Sequence, residues 1–382
     1  EVFVSSRSGP RVIWEGAQFA PTSLALVNRE ICRRLLDHGI ELSLRPLAAA
    51  NEVEAPAPYF EPLATLVIRP FDGPADLEGR HRWPPRFGAS RAPRRVLIQP
   101  WEFGSLPADW PAAIATGVDE VWVPPRYVAS CFTEDGVDPR RVRVIPNGVD
   151  IERFRPGRTP RPLATTKRHR LLFVGGTIGR KGIRVLLEGY RRAFGPRDDV
   201  CLVIKDLAPG SVYEGSTERE LIRQAVADPE FPEILHLEET LGPDELPGLY
   251  AAADLLVHPY LGEGFGLPIA EAMAMELPVV VTGRGASEDF VDDTVGWPIA
   301  SDIRRLPEAR VGSLPTCRRP WVAAPCPRDL ARALREAVSD PVEARRRGRA
   351  GRRRICERFT WDRVAECVAQ RIFDATSVPS GV

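Results

Sequence analysis

Two series of short apolar runs, each run followed by a stretch of helical spacing, occupy this chain one after the other, and a proline-rich break separates them. Strands separated by helices run parallel, and a parallel sheet needs helices on both faces. In the first series Val12-Ile13-Trp14 reads as a strand. Ser23 to His38 follows, with Leu24, Val27, Ile31 and Leu35 on one helical face and Gly39 as its stop. Ile40 to Leu44, Leu66 to Arg69, Arg95 to Gln99, Val118 to Val123 and Val142 to Pro146 read as further strands. Residues 156–168, PGRTPRPLATTKR, have three prolines and no periodicity, and read as a flexible linker. The second series has strands at 170–174, 200–205, 234–237, 254–258 and 278–282, and helices at 182–194, 218–227, 243–252 and 267–275. Residues 301–326 read as an irregular insertion, and 328–338, 341–359 and 361–372 as helices. The expected fold is α/β, with two doubly wound, Rossmann-like domains over 1–155 and 169–358 and a last helix within 359–375.

A length of 382 residues suits two such domains. The formal net charge of zero argues against nucleic acid as partner, because phosphate binding shows as a basic excess. Seven dispersed cysteines with no CxxC pair read as reduced, buried thiols; Cys317 and Cys326 are near enough in sequence to pair under oxidation. No apolar run reaches the ~20 residues of a membrane span, and no apolar run near the N-terminus reads as a signal peptide. The expected location is the cytoplasm, with peripheral contact at the inner face of the membrane as an option. Residues 79–101 hold Arg80, Arg82, Arg86, Arg91, Arg94 and Arg95 with no carboxylate between them. They suit a phosphorylated or lipid-linked ligand, or an anionic membrane surface. The arginine run at 345–354 reads as a solvated helix face.

Two loops of the second series sit where parallel sheets bind ligands, between a strand's end and a helix's start. In FVGGTIGRKG, residues 173–182, Gly175 and Gly176 let backbone N–H groups approach an anion, and Arg180 and Lys181 add charge. The loop satisfies neither GxxxxGK[ST] nor GxGxxG, and alone it is equally an ordinary strand-to-helix turn. In EGFGLPIAE, residues 263–271, Glu263 precedes a turn of Gly264, Phe265, Gly266 and Leu267, and Glu271 lies one turn into a helix. Carboxylates beside an anion cradle repel a bare phosphate but suit a ligand carrying hydroxyls beside its phosphates. Either glutamate alone reads rather as a solvated residue of a capped helix.

The spacing of these glutamates, followed by ELPVVVTGRGASEDFV, resembles the GT4-type family of retaining GT-B glycosyltransferases. RVRVIPNGVDIERFRP at 141–156, the 173–190 segment and GLYAAADLLVHPYLGEGFGLP at 248–268 resemble that family in the same order. The resemblance implies a GT-B fold, with a nucleotide diphosphate sugar (UDP- or GDP-linked) on the C-terminal domain and a saccharide, lipid-linked or small-molecule acceptor on the N-terminal one. It implies transfer of a hexose-type sugar with retention, in bacterial polysaccharide, glycolipid or glycoconjugate synthesis, with no separate cofactor. Lys181 would contact the diphosphate, Glu271 the ribose and Glu263 the transferred sugar. The family often has arginine where this chain has Gly176, and Arg180 is either its replacement or simply solvent-exposed. A histidine of the N-terminal domain often faces the donor sugar there. His81 is the candidate, although beside Trp83 and two prolines it is equally a packed residue. Glu102 and Gly16 are candidates on the acceptor side. No DxD occurs in the chain, so no metal site on the diphosphate is expected. The alternatives are a non-catalytic nucleotide-sugar-binding GT-B protein, a phosphorylase- or synthase-like enzyme, for which no pyridoxal lysine site is evident, and a dinucleotide oxidoreductase, which lacks its GxGxxG.

Overall fold

The computed structural model describes residues 9–20, 22–47, 61–207, 217–242 and 244–377; residues 1–8, where the signal-peptide reading falls, and Pro243, the expected start of one helix, lie outside the described residues. The first half contains β1 (Arg11–Glu15), α1 (Ser23–Leu35), β2 (Glu41–Arg45), α2 (Glu61–Ala64), β3 (Leu77–Arg80), β4 (Arg94–Ile98), α3 (Trp110–Gly117), β5 (Glu120–Val123), α4 (Arg126–Glu134) and β6 (Val142–Val144). Its strands form one parallel sheet in the order β2-β1-β3-β4-β5-β6. The second half contains β7 (His169–Val174), α5 (Ile183–Ala193), β8 (Val200–Lys205), α6 (Arg219–Ala227), β9 (Ile234–Leu237), α7 (Glu245–Ala251), β10 (Leu255–His258), α8 (Leu267–Ala274), β11 (Val279–Thr282) and β12 (Trp297–Ile299). These strands form a second parallel sheet, β12-β11-β10-β7-β8-β9. Then come β13 (Ser301–Arg305), β14 (Arg310–Val311), β15 (Leu314–Pro315), β16 (Trp321–Pro325), α9 (Pro327–Ser339), α10 (Pro341–Arg358) and α11 (Trp361–Ser377). Among the described residues no helix is long and apolar enough to cross a membrane.

The elements follow from their residues. Thr22 caps α1 by accepting the Ala25 N–H at 3.3 Å, and Val27, Ile31 and Leu35 bury its apolar stripe. Every residue of the interior strand VCLVIK (β8) is buried, as in a sheet covered on both faces.

Four expectations are corrected. Leu66 to Arg69 is a turn with, among the described residues, a single bridge, Leu44 to Val67, and Ile68 in it is exposed. The strand in this region is β3, LEGR, all of it buried. Its charges are satisfied internally: Arg80 pairs with Glu78 at 3.0 Å, and Glu78 also accepts from Ser90 and the Arg91 N–H. The linker is bound rather than loose, because the Arg161 N–H donates to the Gly248 carbonyl at 2.9 Å and its guanidinium pairs with Glu239 and Glu245. All seven cysteines are free, but Cys317 and Cys367 are exposed rather than buried.

Fourth, residues 301–326 form an ordered arm. β13 pairs antiparallel with β16, and β14 with β15. The arm reaches the first half of the chain, where Thr316 bridges Pro107. The Gly104 N–H donates to the Trp321 carbonyl at 2.9 Å, Ala108 to Pro315 at 3.0 Å, and Cys317 to Leu106 at 2.9 Å. Arg318 closes this contact on Glu134, at 3.1 Å, and on Asp135, whose side chain is fully buried. Helix α11 also spans the halves: Trp361, Val364, Val368 and Ile372 pack in one core with Trp14, Val27, Ile31 and Leu35.

Candidate active site at two facing switch points

In an open parallel sheet the loops leaving two adjacent strands part where the winding reverses, and a crevice forms at the strands' carboxyl ends. That point falls between β1 and β3 in the first sheet and between β7 and β10 in the second. Gly16 and His81 follow β1 and β3; the 175–182 loop follows β7, and the 259–266 loop follows β10.

At the second crevice Gly175 takes φ +146°, open to glycine alone. The next turn is pinned by Asp206, which accepts the Thr177 N–H at 3.0 Å and its hydroxyl at 2.7 Å. The chain then presents Arg180 and Lys181 toward the loop after β10. The Lys181 ammonium forms an ion pair with Glu263, the two side chains being 12% and 10% exposed. Burial alone would raise the Glu263 pKa, but Lys181, then Arg180 and His258, hold it down at about 2. Glu263 is therefore a carboxylate, and it also accepts the Gly264 N–H at 3.0 Å. Gly266 (φ +95°) starts α8. Glu271, inside α8, is 8% exposed and accepts the Tyr250 hydroxyl at 2.8 Å. Burial pushes its pKa up to about 7, against the opposing effects of Tyr250 and Arg153.

His258, the last residue of β10, was not singled out by the sequence reasoning. It is fully buried, stacks on Phe173 with ring centroids 5.1 Å apart, and neither ring nitrogen has a hydrogen-bond partner among the described residues. Burial, reinforced by Lys181, lowers its pKa to about 3 and keeps it neutral. The signal in the sequence was one histidine ending an apolar strand beside a glycine-rich loop.

At the first crevice His81 is 3% exposed, and burial lowers its pKa to about 4. Its Nδ1 lies 2.8 Å from Asn28 Oδ1, which also accepts the Trp14 indole N–H at 2.9 Å. Both Asn28 amide hydrogens are spent on the Ala17 and His81 carbonyls. Asn28 Oδ1 can therefore only accept, which places the imidazole proton on Nδ1 and the lone pair on Nε2. A Cβ at Gly16 would lie 2.3 Å from the His81 carbonyl oxygen, so this approach of β1 and β3 requires glycine.

The crevices touch through Glu102. Its carboxylate lies 3.2 Å from Arg180, whose guanidinium also donates to the Gly262 carbonyl at 3.1 Å. Arg180 is thus not a solvent-exposed side chain, and Glu102 occupies a charged contact between the two loops. The arginine cluster at 79–101 is likewise not bare of counter-charge: Glu15 holds Arg82 and Arg86, and Glu78 holds Arg80. Elsewhere Asp206, His236 and Glu238 converge closely enough to hold a cation, but the Arg219 guanidinium sits on both acids, at 2.7 and 3.1 Å.

Two doubly wound parallel sheets meeting at their carboxyl edges form the GT-B architecture. Residues 168–312 match the family described as Glycosyl transferases group 1. It is 29% identical over 309 residues to MMP alpha-(1->4)-mannosyltransferase of Mycolicibacterium hassiacum, covering 80% of this chain and 63% of that protein. The chain spans less than two thirds of the curated relatives it matches first. Among solved structures it is similar to HepE of Anabaena in complex with UDP-glucose (TM-score 0.67, 14% identity, 95% of this chain and 99% of that one). It is also similar to sucrose-phosphate synthase of Thermosynechococcus elongatus (TM-score 0.66, 17% identity, 96% and 100%). These likenesses show the GT-B fold.

Proposed function

We propose that this protein transfers a hexose from a UDP- or GDP-linked donor to an acceptor hydroxyl, with retention of configuration. The observation that carries the reading is the buried Lys181–Glu263 pair at the crevice of the second sheet, beside the start of α8. Both loop cations are already paired, Lys181 with Glu263 and Arg180 with Glu102. A donor diphosphate competes for the two cations. The freed Glu263 then accepts hydroxyls of the transferred sugar, and the freed Glu102 becomes available to the acceptor. Glu271 faces the ribose. As the sugar–phosphate bond breaks, charge develops on the departing nucleotide, where Lys181, Arg180 and the positive end of α8 stabilise it. His81 follows β3 at the first switch point and keeps a lone pair on Nε2, its Nδ1 being engaged by Asn28.

The HepE complex with UDP-glucose supports a uridine donor, and the family match supports sugar transfer. Retention rests on the family resemblance. A cytoplasmic location belongs to this reading as an expectation; among the described residues no helix is long and apolar enough to cross a membrane. Nucleotide release is measured with UDP-, GDP- and dTDP-sugars in turn. Release with one of them supports the reading, and binding of any of them without release, across an acceptor panel, replaces it with a non-catalytic nucleotide-sugar-binding protein.

A further inference from the structure

The loop between His81 and Ala89 is tied down from two sides. Arg80, 4% exposed, donates to the carbonyls of Arg86, Gly88 and Ala89 at 3.2, 2.8 and 2.6 Å. Arg82 and Arg86 both reach the carboxylate of Glu15, at 2.9 and 3.0 Å. On this cross-tied loop Trp83 stacks on Trp101 (centroids 6.2 Å apart, planes at 27°) and meets Trp110 edge-on at 6.2 Å. Those two partners are each 3% exposed, whereas Trp83 is 51% exposed. One face of a fixed indole is therefore packed and the other lies in water.

The position adds meaning to that exposure. Trp83 is two residues beyond His81, and Trp101, on which it stacks, immediately precedes Glu102, which touches Arg180 across the cleft. We propose that Trp83 is the acceptor platform: a neutral saccharide lays the C–H face of a pyranose on the indole and presents a hydroxyl toward His81 and Glu102. This rests on the transferase reading above and gives its acceptor a chemical class. Aromatic faces carry negative charge density that attracts polarised C–H groups, and covering apolar surface is favourable in itself. An anionic membrane fits less well, because Arg80, Arg82 and Arg86 are each already engaged by Glu78 or Glu15. A rigid ring also loses little entropy when it is covered.

Wild type, Trp83→Phe and Trp83→Ala are compared with methyl α-D-glucopyranoside, methyl α-D-mannopyranoside and maltotriose as probes. Saturation-transfer NMR reads contact with the sugar protons without turnover, and nucleotide release gives acceptor KM. Expected is ring-face saturation of at least one probe in wild type. In Trp83→Ala that contact is lost and acceptor KM rises roughly tenfold, the scale of one aromatic contact. The kcat and nucleotide affinity stay within about twofold, as for any residue that binds acceptor alone. Trp83→Phe keeps most of the binding. Unchanged acceptor KM and sugar contact in Trp83→Ala overturn the proposal. So does failure of all three probes to contact wild type, and so does an alanine variant whose only loss is binding to phosphatidylglycerol vesicles. Wild type that contacts a sugar but binds no nucleotide overturns the transferase reading and leaves the platform standing.

Discussion

Glu271 offers a quantitative test, because its carboxyl is buried, bonded to one hydroxyl, and held near neutrality. Its pKa rises from the usual 4.5 to about 7, chiefly through burial. A ribose presents two hydroxyl donors, which an ionised carboxylate accepts and a protonated one accepts only in part. Donor binding should therefore expel the proton. At pH 6 about nine tenths of free Glu271 carries it. Donor affinity should then climb about tenfold per pH unit below pH 7 and flatten above it. Calorimetry with intact UDP-glucose or GDP-mannose is the assay, since free UDP ends in a phosphate that itself titrates near pH 6. Repeating the titration in buffers of different ionisation enthalpy reads the released proton directly. Glu271→Gln should bind more weakly above pH 7 and show no such slope. The same ionisation acts on stability. The native state holds the proton more tightly than the unfolded one between pH 4.5 and 7, so stability falls as pH rises through that window. Full ionisation costs about 3 kcal/mol, which Glu271→Gln does not pay. A wild type whose donor affinity is the same at pH 6 and pH 8, or a Gln variant with the wild-type slope, refutes the assignment of Glu271 to the ribose.

Lys181→Ala should slow turnover by about 10²-fold or more, the loss expected for a charge-stabilising donor, with a smaller loss of donor affinity in calorimetry. Arg180→Ala should give a comparable loss if it supplies the charge missing at Gly176, read in the same assay. Activity should survive EDTA, since protein cations face the leaving group; loss reversed by Mg²⁺ or Mn²⁺ would contradict this. Glu276 takes φ +62° just past Met275, the C-cap of α8, a left-handed position that favours glycine, so Glu276→Gly should raise stability by about 1 kcal/mol in urea unfolding.

Apolar spacing located most elements, and each of its failures has its own physical cause. β3 is buried, yet its sequence is LEGR, because Glu78 and Arg80 satisfy each other inside the sheet, and hydrophobic periodicity has nothing to detect there. Leu66 to Arg69 has the apolar content of a strand but, among the described residues, pairs only through Leu44–Val67, and Ile68 is exposed. The arm reads as irregular because β13, SDIRR, is exposed on most positions, and because the arm's contacts with residues 104–108 come from residues 315–321, some two hundred positions later in the chain. Arg161 looked like linker because its partners, Glu239 and Glu245, are distant in sequence. At the site, Lys181 and Glu263 stand out through glycine-rich turns, and their ion pair is visible only in three dimensions. His258 went unnoticed because a lone histidine on an apolar strand reads as core until its unpartnered nitrogens are known.

The way the chain returns to its first half bears on how the molecule comes apart. The outgoing and returning segments run side by side: the Val149 N–H donates to the Phe359 carbonyl at 2.8 Å, and Val149 bridges Thr360. Beyond that crossing, α11 supplies Trp361, Val364, Val368 and Ile372 to the core around Trp14. Well away in sequence, the arm supplies a strand edge to residues 104–108. The break at 156–168 thus divides two sheets without dividing two independently stable bodies. A fragment ending at residue 155 would leave the α1 face without its covering helix and the 104–108 segment without its backbone partners. Heat should accordingly melt both halves in one cooperative transition rather than in two, and proteolysis at the linker should release no folded N-terminal piece.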